Sequence, residues 1–210
     1  MIAPDPDLPS GADVHFKDYL LQEVYLRTTQ AQRSEVIALW KEEGALEDPE
    51  EAARRSHEAV FLVRAASGEL AGLSTVGLVE LKDGRTFYAY RMFLRKRDRV
   101  PYLMLAVVLA TRDFLETFQH PNLQPAGIVH VNENPKLMRP GARKLLERHG
   151  YHYWGKTGQG EDVWAMEFGE RARSLAQPAA WRRALNKLAL FKMTLMRTLK
   201  QHEPKTKGKV

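Results

Sequence analysis

Residues 86–119 read TFYAYRMFLRKRDRVPYLMLAVVLATRDFLETFQ, and the rest of the chain can be ordered around them. The opening residues are β-branched and aromatic, which suits a pleated strand. A basic turn follows, Arg95-Lys96-Arg97-Asp98-Arg99, and then a long apolar segment with Pro101 near its first helical position, where a missing N–H does no harm. The reading is strand, turn, helix. A helix N-terminus presents unpaired N–H groups and the positive end of the helix dipole, so a turn there with Arg95, Lys96, Arg97 and Arg99 is a candidate seat for a phosphate-bearing ligand. The competing reading is a solvated basic turn with no ligand.

Outward from this stretch, the pattern predicts strands on both sides. Ala59–Ala65 is a short apolar run, Ser67-Gly68 is a turn dipeptide, and Glu69–Leu81 alternates; Asp83-Gly84 then marks a tight hairpin into Thr86. Three successive antiparallel strands result. Beyond the helix, Ala126–Val131 reads as a strand beside the one at Thr86, reached by a right-handed crossover. Pro140 and Gly150 bracket a further helix, and residues 151–154 and 162–168 form a terminal hairpin in which Trp154 and Trp164 are a cross-strand pair.

Towards the N-terminus, residues 1–13 hold prolines and no apolar period, and Val14–Gln22 reads as a short helix. Glu23–Arg27 reads as the first strand. Thr28 or Thr29 caps a helix running to Glu42 with Gly44 as its stop, and Asp48 caps a more polar helix to about His57. The domain division is an extension over 1–22, an α/β body over 23–170, and a basic tail over 171–210.

The net charge of +6 is unevenly placed. From Arg171 to Val210 there are eleven Lys or Arg and one acid, Glu203, so the tail carries +10 and the body −4. Arguments about acidic partners belong to the tail. Within it, residues 179–200 place Trp181, Leu185, Leu188 and Leu195 on one helical face and Arg182, Arg183, Lys187 and Arg197 opposite, a basic amphipathic helix. It suits docking on the body or on a second subunit of a homodimer, an anionic membrane surface, or nucleic acid, the last poorly because the apolar face is large. There is no cysteine, which removes thiolate chemistry and disulfides. The N-terminus lacks a basic segment followed by an apolar core, and the longest apolar run, Val100–Ala110, falls short of the roughly 20 residues of a spanning helix. A cytoplasmic protein, peripheral at the inner face of the membrane through its tail, is the expectation.

The element order β-α-α-β-β-β-α-β-α-β-β resembles that of the GNAT superfamily of N-acyltransferases. Arg139-Pro-Gly-Ala142-Arg-Lys-Leu145-Leu146-Glu147-Arg148-His149-Gly150-Tyr151 is similar to the family's Asn-x-x-Ala-x-x-Leu-Tyr-Glu-Lys-x-Gly-Phe signature. The resemblance covers about residues 23–168 and implies a mixed, mostly antiparallel sheet flanked by helices, of α/β (α+β) class. It also implies acyl transfer from a thioester, acetyl-coenzyme A or a longer acyl-coenzyme A, to an amine acceptor, with no metal. In the family, the loop after the central strand is Arg/Gln-x-x-Gly-x-Gly/Ala. Here it is Arg95-Lys96-Arg97-Asp98-Arg99-Val100, without glycine, and Leu146 stands where the family's tyrosine acid would be. Cationic side chains would then hold the pyrophosphate, with Asp98 capping the helix or pairing with Arg95 or Arg97. An acyl carrier protein, with its acidic surface, is the alternative donor.

Acyl transfer needs a base for the ammonium proton and a polar group at the developing oxyanion. His130 is the candidate base, Tyr90 the hydroxyl on the substrate side, and Asn132 the orienting amide; Tyr88, Arg91 and Asn134 are candidate substrate contacts. A lone strand histidine is also an ordinary hydrogen-bonded core residue. Arg91, in mid-strand, needs a carboxylate such as Glu80 or a ligand anion. His149-x-x-His152 has metal-like spacing, but Gly150 interrupts it and there is no third ligand nearby. The rival to the enzyme is a GNAT-like module without catalysis that binds partners through its tail.

Overall fold

The computed structural model describes residues 12–169, except positions 82, 119 and 121. The tail, with its expected amphipathic helix, lies outside the described residues. Eight strands and four α-helices follow in the order β1 (Val14–Phe16), β2 (Tyr19–Glu23), α1 (Gln30–Glu42), α2 (Pro49–Ser56), β3 (Ala59–Ala65), β4 (Leu70–Glu80), β5 (Thr86–Leu94), α3 (Leu103–Thr117), β6 (Gly127–Asn132), α4 (Pro140–Arg148), β7 (His152–Lys156) and β8 (Asp162–Glu167). The fold is mixed α/β, with a mostly antiparallel sheet in the strand order β1-β2-β3-β4-β5-β6-β8-β7. The described residues form two compact units, one of residues 12–79 with Thr86–Ile128, the other of Glu80–Arg85 with residues 129–169.

In the first unit the helices start where their caps dictate. Thr29 accepts from Gln32 N–H while the Gln32 side chain accepts from Thr29 N–H, a reciprocal capping box. Asp48 accepts from the N–H groups of Glu50 and Glu51, with Pro49 in the first turn of α2. Val36, Leu39 and Trp40 of α1 and Ala52 of α2 pack on Ala59, Leu62, Leu70 and Leu73 of the sheet. Each large apolar side chain buried there contributes about 1.5–3 kcal/mol. A second layer is aromatic: Tyr25 meets Tyr88, Phe114 and Phe118 edge-on.

The N-terminal segment departs from expectation. Val14–Gln22 is not a helix; it makes the β1–β2 hairpin, turning at Lys17 (φ 51°) with Phe16 opposite Tyr19. Nine residues are too few for a helix to stand alone. As strand β2, the segment pairs antiparallel with β3 and buries Leu21 and Glu23 in alternation. For the same reason the first long strand ends at Glu23, and Val24–Arg27 is a turn in which Leu26 has φ 59° and Arg27 N–H donates to Val24 O at 2.9 Å.

Pro101 is not in the first turn of α3. A 3-10 turn at Lys96–Asp98 comes between, and the helix starts at Leu103 behind the left-handed Tyr102 (φ 69°). Leu103, Val107, Val108, Thr111 and Leu115 form its buried face.

In the second unit, α4 begins at Pro140, buries no residue fully, and stops before Gly150, whose φ of 83° suits a helix end. Its attachment is ionic. Arg143 donates to Asp162 Oδ2 from Nε at 2.9 Å and from Nη2 at 2.6 Å, and Lys156 reaches Oδ1 of the same fully buried carboxylate at 3.0 Å. Trp154 does not oppose Trp164. Tyr153 does, at 5.4 Å between ring centroids, because a bulge between Tyr153 and Gly155 adds one residue to β7 and takes Trp154 out of register.

Candidate functional site

The basic turn is built from β5, which ends at Leu94, and the 3-10 turn that follows. Three of its four cationic side chains have partners within the fold. Arg95 Nε donates to Asp98 Oδ2 at 2.6 Å and Arg95 Nη2 lies 3.5 Å from Glu69; Arg97 Nη2 meets Glu69 at 2.7 Å; Arg99 Nε donates to Leu94 O at 3.0 Å. Asp98 is buried and also accepts from the Tyr19 hydroxyl at 3.0 Å. It therefore pairs with Arg95 and does not cap α3. The turn's own N–H groups are used as well, Asp98 N–H by Arg95 O at 3.0 Å and Val100 N–H by Asp98 O at 2.8 Å. Lys96 N–H points to Glu43 at 3.4 Å, while the Arg97 side chain stays 63% exposed. The next N–H groups belong to α3, whose first turn has neither a side-chain cap nor an acidic residue.

Beside this turn a cleft of about 490 Å³ is lined by Lys17, Tyr19, Ser67, Val100 and Pro101. The β1–β2 hairpin closes one wall of it, with Lys17 Nζ donating to Pro101 O at 3.4 Å.

On β5, Tyr88 is fully buried and Tyr90 nearly so. Burial holds the Tyr88 phenol up at about 12, and burial with the neighbouring Tyr88 pushes the Tyr25 phenol higher still. Both are neutral hydrogen-bonding groups at pH 7. Arg91 is not paired with Glu80. Its carboxylate is Glu58, just before β3, with Nη1 3.8 Å from Oε2. Glu80 stands at the exposed end of β4. Desolvation lowers the Arg91 pKa, the nearby Arg55 lowers it further, and Glu58 opposes both.

In the second unit, His130 and Asn132 lie on β6 and Asn134 just beyond it. Burial pushes the His130 imidazole down to about 4, with the hydrogen-bonded Asn132 opposing. The residue is half-buried, Nδ1 is closed off from solvent, and the Tyr151 ring stands edge-on at 5.2 Å. Asn132 Nδ2 donates to Leu137 O at 3.5 Å, and Asn134 O accepts from Leu137 N–H at 2.9 Å, so both asparagines hold the turn after β6. The structure thus groups Arg95, Arg97 and Arg99 in one turn, and His130 with Asn132 on one strand. Glu58, Glu69 and Tyr19 are partners that the pattern of residues did not announce. Among the described residues no three His, Asp or Glu side chains are placed to hold a metal, and no helix is long and apolar enough to cross a membrane.

No family model and no curated protein matches the sequence. Solved structures do match the fold. An acetyltransferase of the GNAT family from Streptococcus pneumoniae superposes with a TM-score of 0.53 at 13% identity, over 72% of this chain and 99% of that one. The ribosomal-protein-S5-alanine acetyltransferase from Vibrio fischeri does so at 0.52 and 13%, over 76% and 98%. A GNAT family N-acetyltransferase from Escherichia coli in complex with CoA does so at 0.50 and 14%, over 81% and 88%. The chain has the GNAT superfamily fold.

Proposed function

We propose that this protein is an N-acyltransferase that moves an acyl group from a thioester donor to an amine. The observation that carries the reading is the uncapped N-terminus of α3, set directly behind a cationic turn in a fold shared with acetyltransferases. Donor phosphates would meet the first-turn N–H groups of Met104 and Leu105, since Leu103 N–H already donates to Val100 O at 3.3 Å, with the exposed Arg97 beside them. The amides of Asp98, Arg99 and Val100 are already engaged, so the side chains of Lys96, Arg97 and Arg99 would supply the rest. The complex of the Escherichia coli protein supports CoA as the donor's carrier. An acyl carrier protein is the second donor this turn suits, since Arg97 stands out toward solvent.

In the reaction the amine nitrogen bonds to the thioester carbon, the C–S bond breaks, the ammonium loses its proton and the thiolate gains one. His130, neutral at pH 7 with Asn132 fixing the ring, is the candidate base. A group at about 4 is too weak a base to take the proton of an ordinary ammonium outright, so the amine enters neutral or gives its proton to water. The basic tail, +10 over residues 171–210, would bring the enzyme to an anionic membrane surface.

One observation favours a second reading, a non-catalytic GNAT-like module. Asp98 and Glu69 already offset two of the turn's four positive charges. Thermal unfolding with and without excess acetyl-, octanoyl- and palmitoyl-CoA at fixed salt separates the two. A donor at a hundred times its dissociation constant stabilises the fold by about 2.7 kcal/mol. A shift that grows with chain length supports a long-chain acyltransferase. No shift with any donor, and no acyl transfer from acyl carrier protein, leaves the second reading.

A further inference from the structure

Arg91 brings five N–H donors into the middle of β5. Its side chain is only 34% exposed, yet its ionic partner, Glu58 Oε2, stands 3.8 Å away, beyond hydrogen-bond distance. Glu58 is equally incomplete. Oε1 is taken by Arg54, but Oε2 is closed off from solvent and accepts no hydrogen bond among the described residues. The carboxylate is wedged from behind by the β4 backbone, since a Cβ on Gly77 would lie 3.3 Å from Oε1. Two opposite charges are therefore held side by side without a hydrogen bond between them. A buried carboxylate oxygen left in this state beside a half-buried cation is costly unless further charge completes the pair.

The charge around them selects the ligand. Arg91 senses Arg54, Arg55, Glu51 and Glu58, and these five groups sum to +1. A bare ammonium would meet excess positive charge. A group that carries its own carboxylate would not.

We infer that Arg91 and Glu58 recognise the acceptor, and that the acceptor bears a carboxylate on the carbon that carries its amine, as a free α-amino acid does. The Arg91 fork takes the carboxylate, and the Glu58 carboxylate beside it supplies the negative charge that faces the amine. The word acceptor rests on the acyltransferase reading; the recognition pair does not, because binding is measured without a donor.

The experiment is calorimetric titration of the full chain with leucine, phenylalanine and glutamate, each set against the amine that remains when its α-carboxylate is removed. At least one amino acid should bind, and its decarboxylated amine should bind at least about tenfold more weakly. Arg91→Met should reduce the amino acid to the level of the amine, and Glu58→Gln should weaken both. If Arg91→Met fails to fold, Arg91→Lys keeps the charge without the fork and should fall between. Equal binding of amino acid and amine, undiminished binding by a folded Arg91 variant, or no binding by any of the six compounds overturns the inference. Binding without acyl transfer from any thioester removes the enzyme and keeps the pair; transfer to amines regardless of carboxylate does the reverse.

Discussion

Arg95 Nε lies 2.6 Å from Asp98 Oδ2, so the turn behind β5 supplies its own anion. Arg95 is one of the cations that the sequence offers to a phosphate, and Asp98 already occupies it. Asp98→Asn should therefore strengthen CoA binding by about 1 kcal/mol, roughly fivefold, because one carboxylate near the phosphate is gone. The same change removes the charged partner of Arg95 and turns an amide N–H2 toward its guanidinium, while the amide oxygen still accepts from the Tyr19 hydroxyl; it should lower stability by about 1–2 kcal/mol. Titration with CoA and urea unfolding of the same variant check both signs; weaker CoA binding would place the phosphate away from this turn.

Gly72 should not tolerate a methyl group. In β4 it faces Val63 across the β3 pairing, and a Cβ would lie 2.3 Å from Phe93 O and 3.0 Å from Leu94 Cα. Both are backbone atoms of the same unit and cannot swing aside. Gly72→Ala should cost about 3 kcal/mol. Gly68→Ala, where φ is 83° but the space is open, should cost only about 1–2 kcal/mol of backbone strain. Comparable losses in denaturant unfolding would contradict this account of the packing.

Asp162 carries the attachment of α4. Asp162→Asn leaves Arg143 and Lys156 without their buried carboxylate and should lower stability by about 1–3 kcal/mol. Hydrogen exchange should rise first over residues 140–148. Unchanged protection there would mean that α4 is held by its apolar contacts alone.

Acid should destabilise the protein in two windows. His130 titrates at about 4 in the folded chain against 6.5 when unfolded, so the unfolded state binds more protons between these values. The stability this group allows is whole above pH 6.5 and falls as pH drops toward 4, with His120, also lowered by burial, acting in the same direction. Glu51, held down to about 2 by its hydrogen bond with Arg54 and by Arg55, loses its contribution only from about 4.5 downward. Unfolding measured at pH 6.5 and 5 should show a loss that His130→Gln reduces; an equal loss in that variant would assign the slope elsewhere.

Most element boundaries were legible because their causes are local. Thr29 and Asp48 are caps within three residues of the N–H groups they bind, Asp83-Gly84 turns the chain on itself, and Pro140 and Gly150 bracket a helix. Val14–Gln22 was misread for the opposite reason. Its strand conformation depends on β3, some 40 residues later, which no pattern within the segment can announce. The same holds for Trp154, displaced by a bulge whose register is defined only against β8.

For the candidate site the division falls between residue types and their partners. The sequence by itself determined that a cationic turn would precede the long helix and that histidine and tyrosines would line two strands, since both follow from order and from the period of a strand. Only the tertiary structure decided what those charges meet: Arg97 meets Glu69, Asp98 meets Tyr19, and Arg91 meets Glu58. These contacts join residues 28, 79 and 33 positions apart, and the Coulomb and desolvation energies that decide whether a charge is spent or available act through space, not along the chain.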